Sequence, residues 1–229
     1  NKDGAQGSVR DYYRYTSYGK LDMKCDIYGP YTSNKLMNYY GENINNGYDS
    51  HPEELFEEAI NNLPDSINLN QYDGNHDGYI DNIHIVFAGY GEESGAPSYA
   101  IWSHESTFSQ PIVFRGYKIY GYSCSPELRA NTGHGISRIG VVCHELGHSL
   151  GANDYYDIDY DSNGSYLGTG KWDVMGSGSW NNDGISPANF NPYVKVHDFG
   201  WCQDSLLEKP SSYIEIKPSN DNNTIYRLN

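Results

Sequence analysis

Residues 136–150 read ISRIGVVCHELGHSL, and this stretch is the strongest helix signal in the chain. Gly151 follows it, at the position where a helix commonly ends in left-handed backbone. Residues four apart lie on one face of a helix, so His144 and His148 can direct their imidazole rings at one metal ion. The H-E-x-x-H pattern therefore predicts a zinc site, with Glu145 acting as general base on a water molecule without binding the metal.

A third protein ligand is expected, because catalytic zinc usually has three ligands and an open position. One class of zinc peptidases takes a glutamate from a downstream helix, but this chain has no Glu between Glu145 and Glu208. Another class turns at a glycine three residues after the second histidine and takes its ligand three residues later. Here those positions are Gly151 and Asp154, so we predict Asp154 as the third zinc ligand. The alternative role for Asp154 is a capping or calcium-loop carboxylate.

Met175 lies in a turn of small residues, WDVMGSG at 172–178, and follows Asp154 by 21 residues. Metzincins, the class in which the third ligand is usually a histidine, place a methionine in such a turn as an apolar floor under the zinc. Many of them also carry a tyrosine shortly after the turn that stabilises the oxyanion. Here the corresponding stretch is GSGSW, so the oxyanion partner is unassigned.

Four segments together resemble the immune inhibitor A family of bacterial secreted metallopeptidases. They are SVRDYYRYTSYGKLD (8–22), QYDGNHDGYIDNIHIVFAGYGEE (71–93), HELGHSLGANDYYD (144–157) and GKWDVMGSGSW (170–180), in this order across about residues 8–201. The resemblance implies a metzincin-like α+β fold, with a twisted, mostly parallel sheet, an active-site helix and an irregular lower subdomain. It also implies a zinc cofactor, structural calcium and secretion, with the signal peptide and any pro-segment outside this sequence.

Residues 73–81, DGNHDGYID, match the front of an EF-hand-type calcium loop. Oxygen-bearing side chains occupy loop positions 1, 3, 5 and 9, glycine occupies position 6, and position 7 offers its backbone carbonyl. The candidate calcium ligands are Asp73, Asn75, Asp77, Tyr79 and Asp81. Position 12, normally a bidentate glutamate, is His84, so a standard EF-hand is not expected. The alternative is an Asx-rich turn without metal.

A second oxygen-rich cluster follows the zinc motif, and its candidate calcium ligands are Asp157, Asp159, Asp161 and Asn163. Alternating aspartates repel one another unless a cation neutralises them, which favours a second calcium ion. A flexible acidic loop is the alternative.

The formal net charge of −15, from 30 acidic and 15 basic residues, decides which partners are expected. A field of this sign repels phosphate backbones and anionic lipid, so nucleic acid and membrane surfaces are not expected partners. No stretch approaches the roughly 20 apolar residues of a membrane span.

The four cysteines, Cys25, Cys124, Cys143 and Cys202, include no CxxC pair, and their pairing stays open. Cys143 lies on an apolar run, which suits a buried thiol.

The predicted organisation is a frayed N-terminus at residues 1–7, a catalytic domain at 8–208, and a C-terminal segment at 209–229. The catalytic domain divides into an upper part at about 8–151 and a lower part at about 152–208. The C-terminal segment starts a further β module or forms a packing tail. Periodicity and capping signals predict helices near 8–15, 51–63 and 136–150, and strands at 21–28 and 83–88. Residues 112–122 are predicted to form a further strand or a hairpin.

These features predict a secreted, monomeric zinc endopeptidase that hydrolyses peptide bonds in protein or peptide substrates. A zinc amide hydrolase of small substrates is one alternative, and the Gly151–Asp154 turn and Met175 argue against it. A catalytically silent calcium-binding adhesion module is another. The intact set of His144, Glu145 and His148 argues against that reading.

Overall fold

The computed structural model describes residues 7–44, 47–159, 164–207, 213–218 and 222–228. The chain forms two compact units, one from residues 1–25 with 138–229 and the other from residues 26–137. Residues 138–150, which make up most of the helix predicted at 136–150, therefore belong to the same unit as the segment after them. The predicted division into upper and lower parts near residue 151 stays a prediction.

The helices are α1 (Val9–Thr16), α2 (Met37–Gly41), α3 (Pro52–Asn61) and α4 (Ile139–Ser149). The strands are β1 (His84–Tyr90), β2 (His104–Phe114), β3 (Tyr117–Leu128), β4 (Gln203–Leu207) and β5 (Thr224–Leu228). Short 3-10 turns occupy Leu69–Tyr72, Glu92–Ser94, Gly170–Trp172 and Ser177–Trp180, and a π-helical turn occupies Val194–Asp198. No helix within these described ranges has the length and apolar character needed to cross a bilayer.

The helices predicted from capping signals are confirmed. Ser8 caps α1 through a capping box, in which its hydroxyl accepts a hydrogen bond from the Asp11 amide and the Asp11 carboxylate accepts one from the Ser8 amide. Helix α3 begins at Pro52, with Glu53 and Glu54 in its first turn, where carboxylates favour the positive end of the helix dipole.

The strand predicted at residues 21–28 is wrong. No strand forms there, and Ile27 is 95 % exposed. Alternation of apolar and polar residues suits a half-buried strand, but it does not supply a partner strand. The chain instead passes from one compact unit to the other between Cys25 and Asp26.

The central sheet, in the unit of residues 26–137, has the strand order β1-β3-β2. Strands β1 and β3 are parallel, with Ile85 opposite Cys124, and β2 and β3 are antiparallel, with Thr107 opposite Gly121. This mixed sheet differs from the mostly parallel sheet that we expected. The reason is local, since only Arg115 and Gly116, both with positive φ, connect β2 to β3, and so short a turn joins antiparallel strands.

Helix α3 packs against this sheet through aromatic rings. The Phe56 ring lies 4.1 Å from that of Tyr122, and the Phe108 ring lies 4.8 Å from the same ring, centroid to centroid. All three side chains are buried. Burial of such rings supplies much of the apolar area that stabilises this unit.

The other unit has its core around helices α1 and α4. Tyr13 is fully buried, and its hydroxyl donates a hydrogen bond of 2.7 Å to the Cys143 carbonyl. Cys143 is a free thiol and is fully buried, in agreement with its place on an apolar run. Burial raises the pKa of this thiol. Met175 and Phe190 complete the contact beneath α4.

The C-terminal strand β5 pairs in parallel with β4, with Ser205 opposite Tyr226. Residues 208–212, 219–221 and 229 lie outside the described part of the chain. Whether residues 209–229 begin a further β module or form a packing tail stays a prediction.

Candidate metal centre

Helix α4 presents the predicted catalytic residues on its buried side. His144 and Glu145 are both buried, and Glu145 is only 5 % exposed. The helix ends at Ser149, and Gly151 follows with φ of +100°, the left-handed conformation that the sequence predicted there. This turn directs the chain back toward the histidines, so that Asp154 faces them.

His144, His148 and Asp154 meet in an almost equilateral triangle of ligand atoms. The two Nε2 atoms are 3.2 Å apart, and each lies 3.2 Å from Oδ1 of Asp154. Within the described ranges, this is the one group of three or more His, Cys, Asp or Glu side chains whose ligand atoms approach one another this closely.

The other ring nitrogens decide which atoms face the centre of the triangle. Nδ1 of His144 lies 2.8 Å from the Val174 carbonyl oxygen, and Nδ1 of His148 lies 2.8 Å from that of Ala152. A carbonyl oxygen only accepts hydrogen bonds, so both Nδ1 atoms donate. Each neutral imidazole then presents the lone pair of Nε2 to the centre, which is the tautomer that binds metal.

The residues fit a zinc ion. Ligands at about 2.0–2.1 Å from a tetrahedral zinc are roughly 3.3–3.4 Å apart, close to the observed triangle. Oδ1 of Asp154 is also buried, and it has no hydrogen-bond donor while both Nε2 atoms are unprotonated. Two nitrogen lone pairs and a carboxylate oxygen repel one another unless a cation or a proton lies between them.

In the metal-free chain, a proton takes that place. Burial lowers the pKa of His148, but the hydrogen bond and charge of Asp154 more than offset it and raise the pKa to about 9. Burial also lowers the pKa of His144, but its hydrogen bond to Asp154 and the charge of Glu145 more than offset burial and raise that pKa. The two histidines hold the pKa of Asp154 well below its usual value despite its burial. Metal binding therefore has to displace a proton from this triangle at neutral pH.

Met175 is fully buried and lies against α4, and its role as an apolar floor under a zinc ion stays a prediction. The close approach depends on Gly147, because a Cβ atom there would lie 2.7 Å from Sδ of Met175 and 3.0 Å from the Phe190 ring. The helix and the methionine turn are thus in direct contact at the residue that precedes His148.

Replacing Gly147 with Ala is expected to destabilise the chain by about 1–3 kcal/mol, the usual cost of overpacking. At an exposed helix position the same change would stabilise the protein by about 1 kcal/mol, so a loss of stability here indicates the contact with Met175. Urea unfolding measures the difference, with Ser149→Ala in the same helix as the control. A stability equal to or above that of the unchanged chain would refute the close contact.

Asp173 is fully buried in the methionine turn, and its role there was not predicted from the sequence. Its carboxylate accepts hydrogen bonds from the Met175 amide (3.1 Å), from the backbone and side-chain amides of Asn191 (3.2 and 2.7 Å) and from the Thr169 hydroxyl (3.1 Å). The available signal was an aspartate two residues before the methionine, the spacing of an Asx turn.

These bonds fix the turn that holds His144. Val174, between Asp173 and the methionine, supplies the carbonyl oxygen that accepts from Nδ1 of His144. Asp173 therefore orients a predicted zinc ligand through the backbone, without touching the metal position.

Tyr156 stacks beside the triangle, with its ring 6.3 Å from that of His144 and inclined by 28°. Tyr156 therefore brings an aromatic hydroxyl near the site, and it was not predicted from the sequence. Its position two residues after Asp154 could have indicated that it lies there.

The loop at 73–81 forms, but its carboxylates are engaged by its own amides. Asp73 is buried and accepts from the Asp77 and Gly78 amides, each at 3.0 Å, while Asp81 accepts from the Gly74 amide at 3.1 Å. These bonds are those of an Asx-rich turn. The structure does not bring the candidate ligands into a metal-binding group, so calcium at this loop stays a prediction.

Only part of the second acidic cluster falls in the described ranges. Asp157 accepts a hydrogen bond of 3.0 Å from the Tyr166 amide, which lowers the pKa of its carboxyl. Asp161 and Asn163 lie outside the described residues. Calcium binding by Asp157, Asp159, Asp161 and Asn163 therefore stays a prediction.

Comparison with known proteins agrees with the resemblance seen in the sequence. The family profile described as "Immune inhibitor A peptidase M6, catalytic domain" matches residues 2–200. Pre-pro-metalloprotease PrtV of Vibrio cholerae serotype O1 is 31 % identical over 223 aligned positions, which cover 82 % of this chain and 23 % of that protein. Immune inhibitor A of Bacillus thuringiensis subsp. alesti is 31 % identical over 230 positions, which cover 85 % of this chain and 32 % of that protein.

The chain thus spans between about a quarter and a third of the length of these relatives. The matched region contains α4, Asp154 and the methionine turn, so the metal triangle lies within the segment that the family defines as catalytic. With a profile match over most of its length, the chain belongs to the immune inhibitor A family of peptidases, and the matched region is that family's catalytic domain.

Proposed function

We propose that the chain is the catalytic domain of a secreted zinc-dependent endopeptidase, with His144, His148 and Asp154 as zinc ligands and Glu145 as general base. The observation that carries this proposal is the triangle of ligand atoms, each 3.2 Å from the others, with both histidines oriented to offer Nε2. Family membership supports peptide-bond hydrolysis as the reaction.

Zinc, when bound, supplies a Lewis acid that lowers the pKa of a water molecule and polarises the scissile carbonyl. Glu145 follows His144 on α4 and is almost fully buried, which supports a carboxylate close to the metal position. It takes the proton from the attacking water and delivers it to the leaving amine. His144 and His148 keep their tautomers through the Val174 and Ala152 carbonyl groups.

Action on proteins and long peptides, rather than on small amides, is supported by the metalloprotease and immune inhibitor names of the relatives. Secretion is supported by the "pre-pro" in the name of the Vibrio protein. The chain acts as a monomer in this proposal. The proposal also includes a structural calcium ion bound by the loop at 73–81, with Asp73, Asn75, Asp77, Tyr79 and Asp81 as ligands. The positions of these residues in the loop support calcium binding.

Removing zinc is expected to abolish cleavage of casein and of a long fluorogenic peptide. Ortho-phenanthroline followed by dialysis gives the metal-free chain, and added zinc should restore activity while calcium or magnesium alone should not. Formyl-methionyl peptides, assayed in parallel, test the small-amide alternative. Full activity in the zinc-free chain, or faster turnover of formyl-methionyl peptides than of casein, would overturn the proposal.

A further inference from the structure

A group of buried oxygen atoms, far along the chain from the zinc triangle, lies in the unit of residues 26–137. Asn43 and Asp49 pair through an isolated antiparallel bridge, which places their side chains on the same face. The side-chain amide of Asn43 donates a hydrogen bond of 3.0 Å to Oε1 of Glu92. Asn43 is therefore next to both carboxylates.

Each of the three side chains keeps one buried oxygen without a hydrogen-bond partner. These atoms are Oδ1 of Asn43, Oδ1 of Asp49 and Oε2 of Glu92. The Asp49 side chain is only 4 % exposed, and its other oxygen accepts from the Trp102 amide at 3.2 Å. A buried acceptor without a donor costs about 1–3 kcal/mol, and more when it is charged, so these three oxygens on adjoining side chains call for a compensating partner.

Within the described ranges, no lysine or arginine forms an ion pair with these carboxylates. His104 comes within ion-pairing distance of Asp49, with its Nδ1 3.8 Å from Oδ2, but this atom donates instead to the Trp102 carbonyl at 2.7 Å. A third carboxylate, Glu93, is already satisfied by the hydroxyl and amide of Ser103. Asp49 and Glu92 are thus left without a cation from the protein. Burial, with the charges of Glu92 and Glu93, raises the pKa of Asp49 to about 7, so a proton partly takes the place of a cation at neutral pH.

We propose that Asn43 Oδ1, Asp49 Oδ1 and Glu92 Oε2 bind a calcium ion. The donors are all oxygens, two from carboxylates and one from an amide, which is the set that hard cations prefer. A charge of +2 balances the two carboxylates. Calcium suits an irregular set of side chains better than magnesium, because magnesium demands near-ideal octahedral geometry and gives up its water reluctantly. The proposal does not depend on the zinc centre or on the loop at 73–81.

The test compares Asp49→Asn and Glu92→Gln with the unchanged chain after treatment with a chelating resin. Calcium is titrated by calorimetry, and terbium is titrated by luminescence excited at a wavelength that tryptophan absorbs and tyrosine does not. Trp102 adjoins Asp49 and is the expected sensitiser. Glu42→Gln is the control for charge, since Glu42 is exposed and adjoins Asn43, and Asp77→Asn is the control for the other candidate loop.

We expect Asp49→Asn and Glu92→Gln each to lose one calcium equivalent, while Glu42→Gln keeps it. Trp102→Phe should lose the terbium signal but keep calcium binding. Without calcium, Asp49→Asn should melt at a higher temperature than the unchanged chain, because a buried charge with an unbonded oxygen becomes neutral. If Asp49→Asn does not fold, Glu92→Gln decides the matter.

Two results would overturn the site. One is an unchanged calcium stoichiometry in both Asp49→Asn and Glu92→Gln. The other is a calcium equivalent that disappears only in Asp77→Asn, which would assign the ion to the loop at 73–81.

Discussion

Replacing Glu145 with Gln is expected to lower kcat for peptide hydrolysis by about 10²–10⁴-fold, the usual contribution of a general base. Glutamine has the size of glutamate but cannot take a proton from water. The zinc content should stay that of the unchanged chain, because the ligand triangle consists of His144, His148 and Asp154 and does not include position 145.

Three measurements check this result together: kcat on a fluorogenic peptide, zinc content by atomic absorption, and thermal stability. Glu57→Gln, an exposed carboxylate on α3, is the matched control and should keep full activity. Activity of Glu145→Gln within a few-fold of the control would exclude Glu145 as the base. A loss of zinc in this variant would instead make position 145 part of the metal site.

Replacing Asp154 with Asn is expected to weaken zinc binding by more than about 100-fold. Loss of a residue that only supports a ligand costs 10–100-fold in metal affinity, so loss of a ligand's charge should cost more. The pKa of His148 in the metal-free chain, raised to about 9 mainly by Asp154 acting against burial, should fall. With Asp154 neutral, only the Ala152 carbonyl and the charge of Glu145 still oppose the effect of burial.

Competition with a chromophoric chelator measures the zinc affinity, and NMR titration of the imidazole protons measures the pKa. Asp157→Asn is the control, since it removes a carboxylate three residues further on that does not reach the triangle. If the zinc affinity of Asp154→Asn equals that of the control, Asp154 is not a zinc ligand. Its alternative role, as a capping or calcium-loop carboxylate, would then remain.

The candidate zinc site was largely predictable, because its signals are local in sequence. Helical spacing places His144 and His148 on one face, and the glycine at 151 fixes where the chain turns toward Asp154. The structure brings these three side chains together as expected. Met175 lies further along the sequence from the histidines, but the small residues of its turn allowed it to be predicted as well.

The features that were not predicted from the sequence depend on contacts between residues that are distant in the chain. Residues 112–122 were predicted as one strand or a hairpin, and the positive φ at Arg115, a residue type that rarely marks such a turn, decides for the antiparallel hairpin of β2 and β3. Asp173 matters because it bonds to Asn191, which no spacing rule connects to it. Asn43 and Glu92 meet although 49 positions separate them, so their unbonded oxygens could be recognised only in the fold.

The central claim is that one zinc ion lies between His144, His148 and Asp154. Anomalous diffraction from crystals of the zinc-loaded chain, recorded above and below the zinc absorption edge, tests it most directly. The account predicts one strong zinc peak about 2.0–2.2 Å from both Nε2 atoms and from a carboxylate oxygen of Asp154. A zinc peak elsewhere, or one bound by the two histidines with Asp154 turned away, would contradict it.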